Sequence, residues 1–257
     1  MKKHLLTLFF WVLLIEFGVK AQTVLAQAKL SGIMEFTIDN DERNVFMPDA
    51  EFNVFIKGNM SKVEMLSMMG NNVMIKNMSN NTTTVLLEMM GKKYGYSISN
   101  DSIFSDTSQL LKNARIDSSS YLKQGNLIYT EDSKKINGIE CKKAIISYLS
   151  SSNTPENFEV WYCPDYLLPE GVSLGLENMM GKKSNLALAA KIKEIKGLPI
   201  SYNIKVRVNA RQLLNIRFEI EEINTKSKIG EDSFEIPRAY TILSYREFQK
   251  VAPDFMK

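Results

Sequence analysis

Apolar and polar residues alternate along most of the chain with a period of two. In 201–209, Tyr202, Ile204, Val206 and Val208 fall on one side, and Asn203, Lys205, Arg207 and Asn209 on the other. That is the signature of a strand with one wet face. Leu214, Ile216, Phe218 and Ile220 repeat it against Asn215, Arg217, Glu219 and Glu221. The four residues Asn209 to Gln212 can make a tight turn between the two. Pairing Val206 with Ile216 and Ile204 with Phe218 then puts both apolar sets on one face.

The same alternation predicts strands over 30–38, 51–57, 60–66, 72–78, 82–90 and 93–99, joined by short links carrying Gly, Asn, Asp, Ser or Pro. Short links between successive strands imply an antiparallel meander, since parallel pairs need crossovers of about a dozen residues or more. Two helical insertions interrupt it. One is Thr107 to Ala114, with Asp106 as its cap. The other is Asn185 to Lys196, capped by Ser184 and stopped by Gly197 and Pro199. No solenoid repeat and no Pro- or Ser-rich linker divides the chain, so one domain is expected over 28–257.

The N-terminus reads differently. Met1-Lys2-Lys3-His4 precedes the apolar run Leu5 to Ile15. The run is too short for a membrane helix, which needs about 20 apolar residues, and suits a secretory leader. Val19-Lys20-Ala21 supplies a small-residue cleavage site, so residues 1–21 are expected to be a signal peptide and the protein to be exported to the periplasm or outer membrane, or secreted. No transmembrane segment is expected after its removal.

Cleavage there changes the charge and the chemistry. Of 32 basic and 29 acidic residues, three basic (Lys2, Lys3, Lys20) and one acidic (Glu16) leave, so 29 and 28 remain. A net charge near +1 does not suit a phosphate-backbone partner, and no nucleic acid is expected. His4, the single histidine, leaves as well. Histidine bases, histidine-activated nucleophiles and histidine metal ligands therefore fall away. There is no glycine-rich phosphate loop and no H-E-x-x-H motif, and no catalytic residue, metal ligand or cofactor is assigned.

Cys141 and Cys163 lie in predicted strands 139–148 and 156–163. If paired positions sum to 304, Ile146 faces Phe158, Ala144 faces Val160 and Cys141 faces Cys163. Opposed Cβ atoms stand about 4.5–5.5 Å apart, close to the span of a disulfide. Export favours a Cys141–Cys163 bridge; two separate buried thiols are the alternative.

Eight of the 14 methionines fall between Met60 and Met90. They fill a core, line a surface that accepts apolar ligands of varied shape, or bind a soft metal. Glu219, Glu221 and Glu222 read as solvated, as do Lys92-Lys93 and Lys182-Lys183.

Ile136-Asn137-Gly138-Ile139-Glu140-Cys141-Lys142-Lys143-Ala144, then Val160-Trp161-Tyr162, Gly197-Leu198-Pro199-Ile200 and Phe234-Glu235-Ile236-Pro237 resemble the ordered landmarks of exported bacterial GLPGLI and related domain-of-unknown-function proteins. Those proteins resemble the lipoprotein carriers LolA and LolB. The resemblance covers roughly 125–240. It implies a mainly β (α+β) fold: a single antiparallel, strongly curved sheet or half-barrel, with two or three short helices covering an apolar concave face.

The expected function is therefore a non-enzymatic envelope protein that binds or carries a lipid or other apolar ligand. The expected lining is Phe36, Val54, Ile56, Met65, Leu87, Met89, Phe158, Val160, Ile204 and Phe218. The alternative is an interaction module of an envelope assembly, with an envelope protein partner and no small ligand. A carrier predicts an internal cavity, and a module a packed interior.

Overall fold

The computed structural model describes residues 22–39, 49–68, 70–89, 91–100, 125–149, 155–170, 172, 174, 191–207 and 213–251. The leader, the predicted helix 107–114 and the first half (185–190) of the predicted helix 185–196 lie outside them. Fourteen strands are described. They are β1 (Thr23–Val24), β2 (Gln27–Asp39), β3 (Ala50–Lys57), β4 (Met60–Ser67), β5 (Gly70–Asn77), β6 (Thr82–Met89), β7 (Lys92–Ser99), β8 (Asn126–Ile136), β9 (Ile139–Leu149), β10 (Pro155–Cys163), β11 (Tyr166–Leu167), β12 (Leu198–Arg207), β13 (Leu213–Asn224) and β14 (Thr241–Leu243).

The predicted meander forms with boundaries within about three residues at most ends, because its alternation lets each strand bury one side. Ile204 pairs with Ile216 and Tyr202 with Phe218, two residues away from the expected β12–β13 register. A shift of two keeps the apolar set on the same face. Ile146 pairs with Phe158 and Ala144 with Val160, as the sum of 304 requires.

Twelve strands make one sheet in the order β14-β7-β6-β5-β4-β3-β2-β13-β12-β10-β9-β8. The expected half-barrel is corrected on this point: the sheet is open, and its end strands β14 and β8 do not meet. It is also mixed, since β14 runs parallel to β7. Among the described residues, the helical elements are Asn100, residues 191–193, a 3-10 turn (Asp232–Phe234) and α1 (Tyr245–Val251).

The physical reason lies in where the apolar side chains go. A half-barrel carrier keeps one apolar face inward all the way round. Here the main core buries Leu30, Met34, Val54, Ile56, Ala144, Val160, Ile204 and Phe218 on one face, capped by Leu25, Leu174 and Ile195. A second, separate cluster buries Ile75 and Leu86 under Ile229 and Phe234. Pairing runs from Leu86 to Val73 to Glu64 to Asn53, in alternation with the row that holds Val54. The second cluster therefore occupies the opposite face.

One close approach organises the main core. Gly32 pairs with Ile220 beside a bulge in β13. A Cβ on Gly32 would lie 2.1 Å from the Glu219 carbonyl oxygen and 2.6 Å from Phe52 Cζ. The bare glycine lets the Phe52 ring cross β2 and stack on Phe218, with centroids 4.7 Å apart. Phe218 stacks in turn on Tyr202 at 4.9 Å, and Tyr202 meets Phe158 at 5.5 Å. A continuous aromatic row thus crosses the apolar face from β3 to β10.

Candidate functional site

Of the expected ligand-lining residues, Val54, Ile56, Phe158, Val160, Ile204 and Phe218 belong to the main core, and Phe36 and Met65 pack against it. Val54, Ile56 and Val160 are fully buried, and Phe158, Ile204 and Phe218 are no more than 5% exposed. Phe36 and Met65 are half-buried against the same cluster. Leu87 is half-buried on β6, and Met89 ends that strand. Phe158 and Phe218 are members of the aromatic row, so two of the expected contacts are filled by neighbouring rings.

A polar recess of about 410 Å³ lies over β10, β12 and β13. Trp161, Ser201, Asn203, Lys205, Arg217 and Glu219 help to line it, and so does Phe158. The alternation that buries Val160 and Tyr202 turns Trp161, Ser201 and Asn203 to the opposite side. Glu219 is its hub, accepting hydrogen bonds from Arg217 Nη2 at 2.9 Å, Asn137 Nδ2 at 3.0 Å and Ser201 Oγ at 3.2 Å. Burial opposes its ionisation, but the donors Arg217, Asn137 and Ser201 outweigh that and hold its carboxyl below the usual range. Arg217 also binds Glu35 at 3.0 Å. Lys134 Nζ sits 4.2 Å from the Trp161 ring centroid, which closes one side of that aromatic surface.

Glu35, Arg217 and Glu219 are paired at this hub and tie β13 to β2, to β12 and to the β8–β9 turn. Glu221 and Glu222 are exposed beside it. Among the described residues, no group of three or more His, Cys, Asp or Glu is placed to hold a metal ion. Among the same residues, no helix is long and apolar enough to cross a membrane.

The expected disulfide is corrected. Cys141 and Cys163 are both free thiols, 1% and 2% exposed. The β9–β10 ladder follows the expected register as far as Lys142–Tyr162 and stops one pair short of the cysteines. Cys163 instead pairs with Leu198 of β12, past an irregularity between Trp161 and Tyr162, and Cys141 pairs with Lys134 of β8. Burial pushes the Cys141 thiol up to about 12, and the nearby Cys163 adds to the shift. Burial raises Cys163 as well. Thiolate chemistry is suppressed at both.

The quoted landmarks have structural duties. Asn137 and Gly138 both have positive φ (48° and 81°) and make the two-residue turn between β8 and β9. Gly197 must lack a side chain, because a Cβ would stand 2.5 Å from the Cys163 carbonyl oxygen. Phe234 is buried in the second cluster. Strand β8 had no alternation to reveal it, because Glu131-Asp132-Ser133-Lys134-Lys135 is polar throughout and a bulge falls between Tyr129 and Ser133. The Asn-Gly pair flanked by Ile136 and Ile139 was the available signal.

The fold places this chain among open, largely antiparallel β-sheet proteins. No protein-family model matches the chain, and no curated protein matches it. Among solved structures it is similar to PNGF-II, with a TM-score of 0.38 and 12% identity, over 87% of this chain and 32% of that one. It is also similar to MucB in complex with MucA(peri), with a TM-score of 0.38 and 12% identity, over 84% of this chain and 56% of that one. The chain thus spans about a third of the first protein and just over half of the second. These likenesses do not single out the GLPGLI or LolA and LolB families. At this level they carry no activity or ligand to this chain.

Proposed function

We propose that the protein is an exported cell-envelope interaction module that works by binding another protein, with no enzymatic activity and no small-molecule ligand. The observation that supports it most is the filled apolar face. Carriage of a lipid would require emptying a layer in which Val54, Ile56 and Val160 are fully buried and four aromatic rings are in continuous contact. The mutual pairing of Glu219 and Arg217 and the suppressed thiols support the absence of catalysis in the same way. The apolar leader over 5–15 supports export.

The test has two parts. Organic extraction of the protein purified from its native host, followed by mass spectrometry, is expected to find no stoichiometric lipid; one acyl-chain ligand per chain would overturn the reading. Crosslinking in intact envelopes is expected to give one defined protein partner at fixed stoichiometry, competed by excess unlabelled protein. An unmodified chain in every fraction would count against it.

A further inference from the structure

The two edges of the twelve-stranded sheet are protected in different ways. The β8 edge is blunted by its bulge and by Lys134 and Lys135, the devices that keep an edge strand from pairing with another chain. The β7 edge has no bulge in its pairing with β6. Among the described residues it is covered over Tyr94–Tyr96, by the three residues of β14.

That cover belongs to an arm that follows β13 and clasps β7 from both sides. On one face Ile229 and Phe234 close over Ile75 and Leu86. At the edge, Ile242 lies against Gly95: a Cβ there would stand 2.9 Å from Ile242 Cδ1 and 2.5 Å from Leu86 Cδ2. On the other face, α1 brings Phe248 to 4.6 Å and Tyr245 to 5.1 Å from the Tyr96 ring. Ile229 and Phe234 belong to a cluster separate from the main core, and the buried Phe248 is a member of neither. Its strand is thin, with Thr241 and Ile242 exposed.

The connection to β13 is held locally. Asn224 Oδ1 accepts hydrogen bonds from Lys226 N and Ser227 N, both at 3.0 Å, and Gln27 Nε2 donates to the Ser227 carbonyl at 2.7 Å. Thr225, Lys226 and Lys228 are exposed. None of residues 225–228 is a member of the main core.

We infer that residues 225–251 are an exchangeable arm, and that the β7 edge accepts the same segment from a second copy of the chain. The site selects that segment by its chemistry: a β-branched residue over Gly95, an aromatic pair over Tyr96, and an aromatic ring between Ile75 and Leu86. A second copy supplies all three by construction, so exchange keeps every docked contact and alters only the path of 225–228. Two chains that swap arms form a closed, two-fold dimer.

The experiment uses the register partners Thr241 and Tyr94. Full-length Thr241→Cys and Tyr94→Cys chains are mixed at high concentration, held below the global unfolding transition, and oxidised. The linked peptides are then mapped by mass spectrometry, which separates a 94–241 link from any involving Cys141 or Cys163. The double variant Tyr94→Cys/Thr241→Cys serves as the intrachain control and is expected to link within one chain when dilute.

Arm exchange predicts a covalent heterodimer joined through residues 94 and 241, at a yield that rises with protein concentration. A link in the double variant with none between the single variants overturns the exchange. No link in the double variant overturns the docking register itself.

Discussion

Gly32→Ala is the sharpest test of how the main core is built. The added methyl would stand 2.1 Å from the Glu219 carbonyl oxygen and 2.9 Å from Ile220 Cα, both backbone atoms at a bulge, and 2.6 Å from Phe52 Cζ. The ring can tilt, but the backbone can yield only by parting β2 from β13. Overpacking of this kind costs about 1–3 kcal/mol, and losing the Phe52–Phe218 stack adds ~0.5–1.5 kcal/mol. Replacing Gly by Ala in a strand returns roughly 0.5–1 kcal/mol through the unfolded chain. The net loss spans about 0.5–4 kcal/mol and centres on ~2 kcal/mol, which for a chain of this size lowers Tm by roughly 4–8 °C.

Urea unfolding followed by circular dichroism, with the slope m unchanged, measures this loss. Gly58→Ala is the control: Gly58 has a φ of 54° and open space around it, so its cost is backbone strain alone, about 1 kcal/mol. Adding Phe52→Leu to Gly32→Ala relieves the ring contact and leaves the carbonyl contact in place. A Gly32→Ala protein within about 0.5 kcal/mol of wild type would refute the close approach, and with it the aromatic row as the organiser of the apolar face.

Two further outcomes follow from the cysteines and from the second cluster. Because burial raises the folded-state pKa of Cys141 from 9.0 to about 12, the folded protein holds that proton longer than the unfolded chain. Its contribution is intact below pH 9 and is lost as pH rises towards 12, so Cys141→Ala should flatten the wild-type decline in stability over that window. Parallel declines in the two proteins would contradict it. In the same samples, thiol titration should find two reactive groups per unfolded, unreduced chain and none in the native protein. Leu86→Ala should cost about 2–5 kcal/mol within its cluster. Native-state hydrogen exchange should show faster amides in 94–96 and 241–243 and unchanged protection in β12 and β13; uniform acceleration would mean that the two clusters unfold as one.

The strand content and most boundaries were legible because a strand that buries one face must alternate, and Tyr202 to Arg207 or Leu214 to Ile220 can satisfy that in one way. The β9–β10 register was legible for the same reason, since Ile146–Phe158 and Ala144–Val160 are apolar on one face together. The limits were as specific. Val85, Leu86 and Leu87 are all apolar, so alternation could not say which face of β6 is buried, and the answer is both sides in part. Alternation put Val54, Val160, Ile204 and Phe218 on one apolar side, but whether that side holds a ligand depends on its neighbours. Phe52 reaches Phe218 because Gly32, on the strand between them, has no side chain.

Local pattern thus determined where the chain extends, which side of most strands is apolar, and the absence of histidine chemistry beyond residue 4. Only the tertiary structure decided that the sheet stays open, that its core changes face near β6, that Cys141 and Cys163 stop one pair short of meeting, and that residues 225–251 return to cover the β7 edge. Each of these is a contact between segments far apart in sequence. It depends on which strand becomes whose neighbour, and a period of two carries no information about that.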